Sequence, residues 1–199
     1  MICFHNPEEE NGYLSNWYLS EFTVAGVTFS SMEQYMMHEK ALLFQDQETA
    51  KKILQTDNVA EIKALGRTVR HFDDNVWIKT REEIVYRGLL EKFCQNPELA
   101  EKLEQTGEDT IAECAVKDRI WGIGLSMKDE NGLCIDKWKG QNLLGKVLMR
   151  VREDIRHQNR VTMAFQNVEK AFSDVAEDAG FHTEAELQDY AKKICHEEE

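Results

Sequence analysis

Lys40 lies seven positions after Glu33 in the segment Ser30-Ser31-Met32-Glu33-Gln34-Tyr35-Met36-Met37-His38-Glu39-Lys40. On a helix that spacing turns both side chains to about the same side, separated by roughly 10 Å of rise. Met36 and Met37 stand between them. A carboxylate and an amine at opposite ends of an apolar patch can both touch one bound molecule, the first as acid or base and the second as nucleophile. The same residues have a plainer use. Ser30-x-x-Glu33 is a capping box in which Glu33 returns to its own helix start, and on pattern alone that role is favoured. A lone lysine such as Lys40 is more often solvated surface.

A second cluster is Asp118-Arg119-Ile120-Trp121-Gly122-Ile123-Gly124. It sets a carboxylate three residues before an indole, and an indole face stacks on a planar base at about 1–3 kcal/mol. Without other evidence, a core tryptophan followed by turn glycines is the favoured reading. The third, Gly140-Gln141-Asn142-Leu143-Leu144-Gly145-Lys146-Val147, nearly spells a phosphate-binding P-loop. Val147 replaces the hydroxyl residue that holds magnesium, and residues 132–139 do not read as a buried strand, so a nucleoside triphosphatase is rejected. The helix start there remains able to receive a phosphate through its N–H groups. His5, His38, His71, His157, His182 and His196 make no ligand spacing, and no dinucleotide fingerprint appears. Neither a metal nor another cofactor is expected.

The elements that must position these groups are mostly helices. Aromatic and β-branched residues around Gly26 predict short strands or a hairpin within 13–30. Helices follow at about 31–44, 47–55, 58–65 (stopped by Gly66), 73–95 (capped from Asp73, Asp74 or Asn75) and just after Pro97. Thr110–Ala115 suggests a strand, 119–138 a glycine-containing loop, and Asn142 to about His157 the last helix of the main domain. The fold class is α+β, mainly α with a small β component: one domain over 1–157 and an acidic helical extension over 158–199. Residues 153–199 hold five basic and twelve acidic residues. There Val161, Phe165, Val168, Phe172 and Val175 recur at helical spacing, and Thr183-Glu184-Ala185-Glu186 caps a run of Leu187, Tyr190, Ala191 and Ile194 beyond Gly180. This apolar stripe is expected to pack on the main domain or on a protein partner.

The 199 residues are 42% hydrophobic, with a formal net charge of −13. That supports a real core and argues against nonspecific coating of duplex DNA, which needs clustered Lys and Arg. A local basic pocket for one modified nucleotide stays open; Gly66-Arg67-Thr68-Val69-Arg70 and Arg150-Val151-Arg152 are the modest basic clusters. Cys3, Cys94, Cys114, Cys134 and Cys195 are scattered and odd in number, and suggest neither a disulfide framework nor a zinc site. No membrane-length apolar run or leader-like start is seen, so a cytoplasmic protein without membrane contact is expected.

Taken in order, these pieces resemble the NADAR family, also called YbiA-like proteins. Ser15-Asn16-Trp17 matches its Ser-Asn-aromatic element. Phe29, Glu33, Tyr35 and Lys40 match its aromatic and Glu-x-Tyr-x-x-x-x-Lys; Gly66-Arg67, Trp77 and Lys92-Phe93 follow. Asp118, Trp121 and Gly122 match Asp-x-x-Trp-Gly, and Gly140, Asn142, Leu144, Gly145, Leu148, Met149 and Arg152 match its closing motif. The likeness runs over about 3–156. It departs at Met36-Met37-His38-Glu39, where many members carry Phe-Gln-Ala-Gln.

The resemblance implies an N-glycosidase cutting the bond between ribose C1 and an exocyclic amine. Its substrate would be an ADP-ribosylated guanine nucleotide or nucleic acid, or a phosphoribosylamino-pyrimidine of riboflavin synthesis. It implies Lys40, Glu33 and Asp118 as catalytic residues, with Ser15, Asn16, Trp17, Tyr35, Arg67, Trp77, Trp121, Gly122 and Asn142 binding substrate. Such a bond breaks through an oxocarbenium-like state or by ring opening to an imine, and the second route suits a lysine nucleophile. The competing class is a module that only binds an ADP-ribose- or NAD-type ligand, or a partner-binding antitoxin.

Overall fold

The computed structural model describes residues 1–178 and 185–186, with the side chains of 169 and 171–178 left aside. Among the described residues the chain is mainly α with a small β component, as expected. Its elements are β1 (Ile2–Phe4), β2 (Leu19–Val24), β3 (Val27–Ser31), α1 (Met32–Leu43), α2 (Gln47–Ile53), α3 (Val59–Arg67), α4 (Asp74–Gln95), α5 (Pro97–Gln105), β4 (Ile111–Glu113) and α6 (Leu143–Asp178). β2 and β3 form the expected hairpin, pairing antiparallel with Val24 opposite Val27. The turn holds Ala25 and Gly26 at φ 49° and 82°, the two positive values that a right-twisted two-residue hairpin requires. β1 was not legible: three residues leave no periodicity to read. It runs parallel to β4, with Ile2 opposite Ile111 and Phe4 opposite Glu113.

α1 is the central element. Met32 through His38 and Ala41 are all buried, because the hairpin, α2, α3 and α4 surround it. A helix covered on every side shows little amphipathic contrast. Tyr35 sits at its heart, fully buried, with ring contacts to Phe29 at 5.1 Å and Phe22 at 5.9 Å. α4 comes close enough that a Cβ on Gly88 would strike the Tyr35 ring. α3 does not stop at Gly66 but continues through it, since a bare Cα there makes room for Met37 of α1.

The loop before the hairpin is tied down by Lys92 of α4. Its fully buried Nζ donates to the Tyr13 carbonyl at 2.8 Å and lies 5.4 Å from the rings of Tyr18 and Phe93. Burial pushes its pKa down to about 7. Lys92→Ala removes a packed stem and orphans a carbonyl, so it should cost about 2–4 kcal/mol, read as a lowered urea midpoint. An unchanged midpoint would show that the Tyr13 loop is held by other contacts.

By its contacts the chain divides into two compact units, Met1–Ile155 and Arg156–Glu199. α6 continues well beyond the expected end near His157. On it Val161, Met163, Phe165 and Val168 are exposed. Phe172 and Val175 fall on α6 with their side chains outside the described set. Gly180, Thr183, Glu184 and the run from Leu187 to Ile194 lie outside the described residues. Among the described residues, no helix is long and apolar enough to cross a membrane.

Candidate active site

The capping of α1 decides what Glu33 is for. Its N-cap is Ser31, whose hydroxyl accepts from the Gln34 backbone N–H, and the Gln34 side chain in turn accepts from the Ser30 N–H at 2.7 Å. The box is therefore shifted one residue from Ser30-x-x-Glu33, and Glu33 is released from capping. Its backbone N–H donates to the Asn16 carbonyl at 2.8 Å, and its 97%-buried side chain lines a cavity of about 330 Å³.

Lys40 lies at the other end of that cavity, one helical face along. Its Nζ donates to the Gly66 carbonyl at 2.8 Å and stands 4.3 Å from the Phe72 ring and 5.8 Å from Trp77. Desolvation lowers its pKa, opposed by Glu33 and Asp74. Glu33 is shifted the other way: burial raises its pKa, against Lys63, a hydrogen bond from the Trp17 side chain, and Arg67. Burial thus drives both groups toward their neutral forms.

Two residues that the motifs did not single out complete the wall. Glu113, at the end of β4, has its pKa raised to about 8, first by burial and then by Asp118, with Lys63 opposing. Its Oε2 is buried with no hydrogen-bond partner, as is Oδ1 of Asn16 in the same wall. Buried polar atoms without partners are rare, and in a cavity wall they are positions a ligand can satisfy. The signal for Glu113 was present as one acid in the otherwise apolar Ile111-Ala112-Glu113-Cys114-Ala115. Lys63 precedes Arg67 by one helical turn of α3, and its Nζ lies 5.2 Å from the Trp17 ring centroid.

Asp118 is held by its own turn: Oδ1 accepts from the N–H groups of Ile120 and Trp121 at 2.9 and 2.8 Å. The start of α6 then clamps this loop. Asn142, Leu143 and Leu144 donate their N–H groups to the carbonyls of Gly122, Ile120 and Trp121. Those three donors are consequently committed to the loop and are not open to a phosphate, and Lys146 points to solvent. Gly145 is needed for close packing, since a Cβ there would overlap the Ile111 carbonyl.

A second cavity of about 500 Å³ adjoins the first and shares Trp17, Lys63, Arg67, Glu113 and Asp118 with it; Ser15, His5 and Lys117 line its far side. The structure thus brings Lys40, Glu33, Asp118, Asn16, Trp17, Arg67 and Trp121 to the inner cavity and Ser15 to the outer one. It does not bring Tyr35, Trp77, Gly122 or Asn142 to either. Tyr35 is core, and Trp77 backs Lys40. Gly122 has no room for a Cβ beside the Glu113 carbonyl. Asn142 is buried at φ 51°, accepting from the Glu113 N–H at 3.0 Å and donating to the Ile111 carbonyl at 2.8 Å. Its work is to hold β4, and with it Glu113.

The NADAR domain model matches residues 3–156. The chain belongs to the NADAR family. It is 48% identical over 161 residues to N-glycosidase R617 of Acanthamoeba polyphaga mimivirus, covering 77% of this chain and 95% of that protein. A riboflavin biosynthesis protein of Vibrio vulnificus is 32% identical over 155 residues, 78% of this chain but 38% of that longer protein. The solution NMR structure of the E. coli protein YbiA superposes with a TM-score of 0.66 at 25% identity, covering 79% of this chain and 86% of that one. The NADAR match ends at residue 156, one residue past the end of the first compact unit.

Proposed function

We propose that the inner cavity binds a guanine- or aminopyrimidine-type base joined through its exocyclic amine to ribose C1, and hydrolyses that bond. The broader class follows from the family: this NADAR chain is a hydrolase acting on N-glycosyl bonds. The observation that carries the finer reading is the meeting, in one cavity, of a desolvated lysine with a buried acid whose oxygen has no partner.

In this reading the Trp17 and Trp121 indoles flank the base. Glu113, protonated near neutral pH, supplies a proton to the ribose ring oxygen as the ring opens to an imine. The Lys40 amine, its pKa lowered by burial, adds to C1 in its deprotonated form, and the base departs as its free amine. Water then hydrolyses the Lys40 imine and releases the sugar, with Glu33 and Asp118 moving the remaining protons. The net change is one water consumed, one free base and one free ribosyl group produced.

The outer cavity supports the substrate's extent. Phosphates attached to the ribose would leave the inner cavity past Arg67 and Lys63 toward Lys117, and the added volume suits an ADP-ribosyl group better than a single phosphate. The kinship with a riboflavin biosynthesis protein favours the second substrate, a phosphoribosylamino-pyrimidine. With no membrane-length helix among the described residues, cytoplasmic action on either is the proposal. Incubation with a guanine-ADP-ribosylated oligonucleotide and, in parallel, with the pyrimidine, scored by mass spectrometry for released sugar, tests this. Turnover of the oligonucleotide is expected; turnover of the pyrimidine alone transfers the assignment, and release from neither leaves a binding module.

Arg67→Ala should raise KM about tenfold or more and leave kcat within a few-fold, because a phosphate contact made equally before and during bond breaking affects binding alone. An unchanged KM would remove the phosphates from this wall.

A further inference from the structure

On the far face of the β1–β4 pair from Glu113 lie two thiols. Cys3 is opposite Ala112 in the parallel register, and Cys114 is two residues beyond Ala112, so both side chains stand on one face. The pairing extends to Cys114, whose N–H donates to the Phe4 carbonyl at 2.8 Å. Both thiols line one cavity of about 180 Å³ with Ser126, Met127 and Lys128, where the Cys114 thiol donates to the Ala112 carbonyl at 3.8 Å. Cys3 is partly exposed through it, while Cys114 is buried. Scattered in sequence, these cysteines gave no hint of a pair; the strand register creates it.

We infer that Cys3 and Cys114 form a redox pair in which a peroxide closes a disulfide across β1 and β4 and lowers turnover through Glu113. The Cys3 thiolate attacks the peroxide O–O bond, giving a sulfenic acid and releasing hydroxide. The Cys114 thiol then attacks the Cys3 sulfur, forming the S–S bond and releasing water, so two thiols are oxidised as one peroxide is reduced. The neighbouring Cys114 thiol holds the Cys3 pKa down at about 7, which favours the partly exposed Cys3 as the attacking thiolate and leaves the buried Cys114 to resolve the sulfenic acid. Coupling to the site follows from adjacency. Glu113 lies between Ala112 and Cys114, and its carbonyl accepts from Ile123 at 2.8 Å, so a bond that draws the strands together re-aims its side chain. The coupling, though not the disulfide, rests on the role assigned to Glu113.

The test uses the full chain treated with hydrogen peroxide, with remaining thiols alkylated under denaturing conditions before digestion. A peptide joining Cys3 to Cys114, lighter by two hydrogens than its reduced parts, is expected to form before exposed Cys94 reacts. Turnover should fall roughly tenfold or more in step with it and return with dithiothreitol. Cys114→Ser should leave untreated turnover unchanged, give no joined peptide, and let Cys3 go on to sulfinic acid. Oxidation of Cys94 first, or of Cys3 without the joined peptide in the unsubstituted chain, overturns the pair. The joined peptide with full turnover overturns the coupling to Glu113 alone.

Discussion

Lys40→Ala should lower turnover by about 10³-fold or more and move the melting temperature by only a few degrees. The first half follows from chemistry. An amine that becomes bonded to the sugar cannot be replaced by a methyl group, and an enzyme deprived of its nucleophile keeps only what binding and acid catalysis supply. The second follows from position. Lys40 is half-buried at the cavity edge, its Nζ makes one hydrogen bond to Gly66, and water entering the cavity can take that donor's place. Lys40→Arg should be as inactive as the alanine variant, because a guanidinium stays charged and offers no lone pair. Borohydride added during turnover should fix the sugar to Lys40 as a mass adduct on the α1 peptide. Near-full activity in Lys40→Ala, with no adduct, would end the covalent route and leave the oxocarbenium one.

The lowered pKa of Lys40 gives that variant series a pH signature. In the folded protein the amine loses its proton at lower pH than a free lysine does, so the active fraction should rise with pH along an acid limb shifted down from the ordinary lysine range. Direction and cause both come from burial among Phe72, Trp77 and Met36, with Glu33 and Asp74 limiting the shift.

How much of this could be read from the chain depends on the range of the interaction concerned. The hairpin and the helices were legible because their signals are local: alternation around Ala25-Gly26, Asp73 before α4, Pro97 opening α5. Glu33 and Lys40 were legible as a pair because helical spacing fixes their direction. The roles of Ser30 and Ser31 were not. Both serines can open a capping box, with Glu33 or with Gln34. The choice falls to Ser31 with Gln34 because the Gln34 amide also donates to the carbonyls of Ile53 and Thr56 on another segment, a contact no local pattern contains. The place of Asn142 was not legible for a similar reason. In sequence it belongs to a glycine-flanked helix start, whereas its partners are Ile111 and Glu113, some thirty residues away. Tyr35 shares α1 with Glu33, but a helix buried on all sides sends one residue to a cavity and its near neighbour to the core. Family likeness gave these residues as one group; the fold separates those facing the cavity from those holding its walls.

Glu113→Gln should make the protein more stable at neutral pH and much less active. With the folded pKa raised from the ordinary 4.5 to about 8, the folded state keeps between those values a proton that the unfolded chain releases. Stability of the unsubstituted protein therefore falls as pH rises through that window, and is free of this penalty only below about pH 4.5. Glutamine has the same shape and no proton to lose, so the variant should gain about 1–3 kcal/mol near pH 7–8, a few degrees in melting temperature, and show a flatter pH dependence between 5 and 8. The catalytic consequence runs opposite. An amide cannot deliver the proton that opens the ribose ring, a loss of about 10²–10³-fold, and the basic limb near pH 8 in the unsubstituted enzyme should vanish from the residual activity. A variant that is both stabilised and inactive identifies an acid kept neutral at a cost to the fold. Full activity in Glu113→Gln would remove the proton from this residue, and a loss of stability would mean that its buried oxygen has a partner in solution.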